Sequence, residues 1–256
     1  MNLCYPARVP HIASGRSVSN PQIARHAAVV RITHWLTVIA FLILLITGGE
    51  IVISHPRFYL GEVGNVTTTP LFTLPIPASR DTVPTGYGYV MPDQNGWSRD
   101  LHFEAGWLLV FTGLVYGVFG LWSGHFRRDL LPSRSQWRLT ALWAVVARYL
   151  RRAPAAAEDA RSYNPLQRIA YLKVIFILFP LVIWTGLAMS PGFTSAMPIA
   201  VSALGGRQTA RTLHFFVSGA LVLFLVVHVA MVIHAGFRSR MRAMITGRVT
   251  SPEEAA

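Results

Sequence analysis

The sequence predicts an all-α membrane protein: a bundle of four transmembrane helices with both termini in the cytoplasm, plus one amphipathic helix at the membrane interface. Three observations predict it. Hydrophobic residues make up 52% of the 256 and charged residues only 13%, with a mean hydropathy of +0.42. That balance suits a polytopic membrane chain rather than a soluble globule. Four apolar stretches each approach the roughly 20 residues a helix needs to cross hydrocarbon. The basic residues alternate from side to side between those stretches, eighteen of the 23 falling on one side and five on the other. The positive-inside rule then puts both ends in the cytoplasm.

The elements follow in order. Residues 1–25 form a cytoplasmic N-terminal segment with Arg8, Arg16 and Arg25 but no apolar run of the signal-peptide kind. The first apolar stretch is therefore read as an uncleaved anchor. A transmembrane domain occupies residues 26–240, with spans at about 31–53, 102–123, 168–190 and 212–235. Inside hydrocarbon every backbone polar group must be satisfied within its own segment, so each span reads as a helix. Pro180 is expected to kink the third. An outer, periplasmic loop, 54–100, is rich in Gly, Pro and Thr, and a loop that long reads as functional or as a docking surface. The cytoplasmic loop 124–167 contains SQWRLTALWAVVARYLRR (135–152), with Trp137, Leu142, Val145 and Tyr149 near one stripe. It suits an interfacial amphipathic helix, or equally a helix packed on the inner span ends. The tail 241–256 ends in SPEEAA and reads as disordered. The net charge of +12 sits in arginines between spans, which argues for lipid and against nucleic acid as partner. Cys4 is the single cysteine. That excludes a disulfide framework, a cysteine-held cluster and a covalent c-type haem.

Function is carried by histidines. His214 and His228 lie fourteen residues apart on one apolar segment. At about 100° and 1.5 Å per residue they share a face and sit roughly 21 Å apart, near opposite leaflets of a core about 30 Å thick. His34 stands at the cytoplasmic start of the first span and His102 opens the second at the outer side. The depths pair His102 with His214 outside and His34 with His228 inside. Two neutral imidazoles are axial ligands for a haem iron and leave no open position for a substrate, so such sites move electrons. Zinc would be under-ligated by two imidazoles. His11, His26, His55, His125 and His234 lie in loops, at span ends or on another face, and are not read as ligands. Gly48 and Gly49 come fourteen and fifteen residues after His34, and Gly117 and Gly120 fifteen and eighteen after His102. Glycine at these depths would let a flat ring approach the helix, or would serve close helix packing.

With these residues in place, the chain resembles the di-haem cytochrome b subunits of the b561 type that anchor bacterial formate dehydrogenases, nickel–iron hydrogenases and thiosulfate reductases. The residues that carry the resemblance are Arg31-Ile-Thr-His34-Trp35, Leu101-His102 with Gly106, YNPLQRIAYLKV at 163–174, TGLAMSP at 185–191, and Arg211-Thr-Leu-His214 with His228. It covers roughly residues 25–240. It implies two b haems between four helices in an inner membrane, with His102 and His214 on the outer haem and His34 and His228 on the inner one. It also implies electron transfer between a periplasmic catalytic partner and membrane quinone. Arg31 and Arg211 each precede a ligand by three residues and are read as partners of haem propionates or, equally, as arginines snorkelling to the membrane interface. Glu50 and Glu104 near outer span ends read as solvated interface residues, with proton relay as the functional alternative.

The chain has no catalytic motif of its own, so substrate chemistry is assigned to the partner, first a molybdenum oxidoreductase and second a hydrogenase. Two rivals stand beside this reading. A free-standing haem oxidoreductase would turn over a soluble reductant or oxidant alone. A haem-free transporter using histidines as a proton relay would be colourless and would be expected to show repeats or broken helices.

Overall fold

The computed structural model describes residues 26–65, 67–76, 96–133, 136, 138–151 and 165–247. In chain order its elements are α1 (Ala28–Ser54), β1 (Arg57–Phe58), β2 (Phe72–Thr73), α2 (Gly96–Trp122), α3 (Leu139–Leu150), α4 (Pro165–Leu187), α5 (Pro191–Ala196), α6 (Pro198–Ser202), α7 (Arg207–His234) and α8 (Phe237–Thr246). Helices α1, α2, α4 and α7 are long and apolar enough to cross a membrane, as the sequence predicts. The end that carries the β1–β2 hairpin is called outer below, after the orientation the arginines predict.

The helices run past the apolar windows that reveal them, because helical hydrogen bonding does not stop where the hydrocarbon does. Helix α2 begins at Gly96, so His102 does not open it but lies more than a turn inside. His214 likewise lies seven residues into α7. The bundle is built inside out relative to a soluble protein. Ile46, Leu114 and Leu223 point outward with about two thirds of their surface exposed, while Thr47, Thr112, Thr185, Ala40 and Ala210 are buried. Apolar side chains gain nothing by leaving lipid, so small and hydroxylic residues take the helix contacts.

Helix α1 packs along α2, and α4 along α7. The second contact is a cluster of Val174, Val182, Val217 and Leu221, flanked by Phe41 and Phe224. Pro180 leaves the Phe176 carbonyl without its usual donor, and the chain takes a π-helical turn at Val174–Leu178 just before it. The sequence leads one to expect a kink here; what the structure has is a widened turn inside a continuous helix. After α2 a second π turn, Phe126–Leu130, folds back. A methyl on Gly120 would collide with the Phe126 ring, so this glycine admits that ring. His125 pairs with Asp129 at 2.6 Å, next to this turn.

The predicted amphipathic helix is present as α3. It packs on the first turns of α4, burying Val145 and leaving Leu139 and Trp143 exposed. Trp137 and the Tyr149 side chain lie outside the described residues, as do segments 1–25, 77–95, 152–164 and 248–256. Those segments include Cys4, the YN of the 163–174 motif and the SPEEAA tail.

The described part of the outer loop is a cap on the bundle. Strands β1 and β2 pair antiparallel. Phe58 stacks on Phe72 at 4.7 Å and lies 4.5 Å from Phe215 of α7. Helix α7 begins at a glycine that offers no side-chain cap. The loop supplies one instead. The Gly61 carbonyl accepts from the N–H groups of Gln208 and Thr209 at 2.9 and 3.3 Å, and the Glu62 carboxylate accepts from Arg207 N–H at 3.2 Å. Both satisfy first-turn donors that a helix cannot satisfy itself, and the carboxylate complements the positive end of the helix dipole.

Candidate functional site

The structure brings together the two histidine pairs the sequence predicts. His34 of α1 faces His228 of α7 with ring centroids 6.4 Å apart. His102 of α2 faces His214 of α7 at 6.3 Å. The fourteen-residue spacing places both α7 imidazoles toward the interior, where a partner meets each.

The separation itself is chemical information. A metal–imidazole bond is about 2.0–2.1 Å, and a ring nitrogen lies about 1.1 Å from its centroid, so two imidazoles in line across one metal ion put their centroids about 6.3 Å apart. Both histidine pairs have that separation, and each joins two helices at its own depth. Among the described residues no group of three or more His, Cys, Asp or Glu could hold a metal ion. A two-donor set suits an iron whose other four positions come from a porphyrin. The residues present therefore fit haem iron.

The two pairs have different surroundings. At the outer pair, His102 Nδ1 lies 2.8 Å from Thr47 Oγ1 and His214 Nδ1 lies 3.1 Å from Thr185 Oγ1. Each threonine is followed by a glycine that lies against the same imidazole. A methyl on Gly48 would stand 3.4 Å from His102 Cε1, and one on Gly186 would stand 3.2 Å from His214 Cε1. At the inner pair the neighbours are aromatic. Trp35 meets His34 edge-on at 5.3 Å, Phe224 stacks on His228 at 5.7 Å, and Tyr171 meets His228 at 6.2 Å. His34 Nδ1 is buried without a hydrogen-bond partner among the described residues.

The other predicted site residues take more specific places than the sequence foresaw. Gly48 makes room for the His102 imidazole rather than simply for a flat ring. A methyl on Gly117 would meet no atom within 4 Å, so the protein itself does not require glycine there. Arg31 Nη1 donates to the Ile245 carbonyl at 2.6 Å, and Trp35 Nε1 donates to the Met244 carbonyl at 3.3 Å. Together they hold the last turn of α8, where carbonyls lack helical donors. The Arg31 Nε is buried and has no partner among the described residues. Arg211 Nη2 donates to the His55 carbonyl at 2.5 Å, and its guanidinium lies 5.2 Å from the Phe58 ring centroid. It ties the hairpin to α7. Glu104 is exposed and Glu50 half-buried. Sequence reading gives no site role to Thr47, nor to Thr185 and Gly186 of the TGLAMSP motif, although a Thr-Gly pair recurs near the outer ends of the first and third spans.

The chain has relatives among known proteins. A family model described as prokaryotic cytochrome b561 matches residues 25–247. The putative protein-methionine-sulfoxide reductase subunit YedZ1 of Azospira oryzae is 33% identical over 216 residues, covering 82% of this chain and 90% of that protein. A probable Ni/Fe-hydrogenase B-type cytochrome subunit of Cupriavidus necator is 27% identical over 247 residues, 92% of this chain and 88% of its own length. A counterpart in Bradyrhizobium diazoefficiens is 26% identical over 252 residues, 92% and 89%.

Proposed function

The chain belongs to the prokaryotic cytochrome b561 family, and from that premise we propose that it is a two-haem membrane subunit that carries electrons between a partner oxidoreductase and membrane quinone. Haem b follows from the family; that there are two, and where they sit, is our reading. The observation that carries it is the pair of facing imidazoles, at 6.3 and 6.4 Å, set at two depths on one helix. Bound at these sites, haem b supplies one-electron redox chemistry. His102 and His214 would hold the outer group, and His34 and His228 the inner one. Bis-histidine ligation closes the iron to substrate, so chemistry on a substrate belongs to a partner. Between the two arginines, Arg31 keeps a buried Nε for a propionate, whereas Arg211 is engaged by the hairpin. A haem-free transporter does not fit membership of a cytochrome family.

The proposed setting is the inner membrane with both termini cytoplasmic, because eighteen of the 23 basic residues lie on that side. The partner then works in the periplasm. Of the two kinds of relative, the reductase subunit has the higher identity, 33% against 27% and 26%. That favours a periplasmic reductase, proposed to carry molybdenum, over a hydrogenase, which is the second reading. A free-standing haem oxidoreductase is a third.

The test is a reduced-minus-oxidised spectrum and a pyridine haemochrome count on detergent-purified protein. About two b haems per chain, with His214→Ala and His228→Ala each losing a different one, is the expected result. A colourless wild type made with ample haem would overturn the reading. For the partner, native membranes reduced with quinol are given methionine sulfoxide, and air-oxidised membranes are given hydrogen. Reoxidation of the b haem by the sulfoxide supports the reductase arm, and reduction by hydrogen supports the hydrogenase arm. Metal analysis of the purified complex reads molybdenum directly.

A further inference from the structure

The two Thr-Gly pairs share one geometry. Thr47-Gly48 lies near the outer end of α1 and receives His102 from α2. Thr185-Gly186 lies near the outer end of α4 and receives His214 from α7. In both, a buried hydroxyl meets Nδ1 and the next residue's missing side chain lets the ring lie against the helix. Thr47 and Thr185 are 1% and 0% exposed, so neither hydroxyl has water as an alternative partner.

The direction of each hydrogen bond follows from counting protons. A hydroxyl has one. Thr47 Oγ1 lies 2.8 Å from the Ile43 carbonyl, and Thr185 Oγ1 lies 2.7 Å from the Leu181 carbonyl. A carbonyl can only accept, so the hydroxyl proton goes there. The oxygen that remains toward the imidazole is an acceptor, and it is satisfied only if Nδ1 carries the hydrogen. That tautomer leaves the Nε2 lone pair free. The opposite tautomer would break the carbonyl bond and put a proton on Nε2.

We propose that Thr47 and Thr185 are positioning residues that hold both outer ligands as Nδ1–H tautomers, with Gly48 and Gly186 as the matching seats, and that this lowers the reduction potential of the outer haem. The inference rests on the bis-histidine reading above. An acceptor on the distal N–H raises the donor strength of the ligating nitrogen. A stronger donor favours ferric over ferrous iron, because the ferric ion carries more positive charge. Both outer ligands receive this support. The inner ligand His34 has a buried Nδ1 with no partner among the described residues. The chain thus treats its two sites differently through groups that touch neither iron nor porphyrin.

The test is an optical redox titration of detergent-purified wild type beside Thr47→Val, Thr185→Val, Thr47→Ser and Thr185→Ser. The outer haem is identified as the one absent from His102→Ala. In the valine variants, the outer haem is expected to show a several-fold higher reduced-to-oxidised ratio at the wild-type midpoint, with the inner haem unmoved and serine restoring wild-type behaviour. Valine keeps the shape of threonine and removes its hydroxyl, while serine restores the hydroxyl without the methyl, so a packing role would not produce that pattern. Loss of the outer haem from the valine variants, with retention in the serine variants, supports the same conclusion. A ratio changed less than twofold in fully loaded valine variants overturns the inference; at 59 mV per tenfold for one electron, that is about 18 mV. Loss of haem from valine and serine variants alike also overturns it. A wild type without two b haems would instead overturn the bis-histidine reading beneath it.

Discussion

Gly206→Ala is expected to destabilise the outer end more than Gly205→Ala, and the structure says by how much. Gly206 precedes α7 with φ of +101°, outside the range L side chains adopt readily. Gly205 beside it has φ of +81°. Forcing alanine into either backbone costs about 1–2 kcal/mol. The two then part. A methyl on Gly205 would meet nothing closer than Thr209 Oγ1 at 3.4 Å, whereas one on Gly206 would stand 2.6 Å from the Gly61 carbonyl oxygen. That oxygen accepts from the N–H groups of Gln208 and Thr209, so displacing it sacrifices two hydrogen bonds worth roughly 0.5–1.5 kcal/mol each. The sum is about 2–5 kcal/mol for Gly206→Ala against about 1–2 for Gly205→Ala. At about 2–4 °C per kcal/mol for a chain of this size, the melting temperature should fall by roughly 4–20 °C and 2–8 °C. The assay is thermal melting in detergent, followed by circular dichroism and by haem absorbance. A Gly206→Ala protein that melts no lower than Gly205→Ala would refute the cap.

Three further outcomes are expected. Combining histidine variants reads the pairing: His34→Ala/His228→Ala should retain about one b haem per chain and His34→Ala/His214→Ala none, as counted by pyridine haemochrome. Equal retention by both doubles would sink the pairing at 6.4 and 6.3 Å. Gly48→Val adds bulk where a single methyl already stands 3.4 Å from His102; the outer haem should be lost selectively, and an unchanged spectrum would contradict the seat. For orientation, a C-terminal fusion to green fluorescent protein should fluoresce and one to alkaline phosphatase should be inactive; the reverse pattern would invert the proposed topology.

The candidate site was legible to the depth that helical arithmetic reaches. His214 and His228 share a helix, so rise and rotation alone place them on one face at two depths, and depth matching then selects His102 and His34. Orientation of side chains across helices was not accessible that way. Arg31 and Arg211 were read from their spacing to the ligands, but their guanidinium groups reach the end of α8 and the hairpin, contacts set by segments 214 and 156 residues distant. Gly120 looked like part of a haem-facing stripe and instead accommodates Phe126, because a π turn that no periodicity announces folds that ring back.

What the sequence determined by itself is the part fixed by one dimension of solvent: the bilayer demands about 20 apolar residues per crossing, and four stretches meet it. The histidine depths follow from the same rule. What only the tertiary structure decided is which groups meet between helices. The hydroxyls of Thr47 and Thr185 lie on different helices from the imidazoles they touch, and the Gly61 carbonyl caps a helix that begins at Arg207. Such contacts depend on how helices are rotated and set against one another. Packing of small residues fixes that rotation, and no local pattern encodes it.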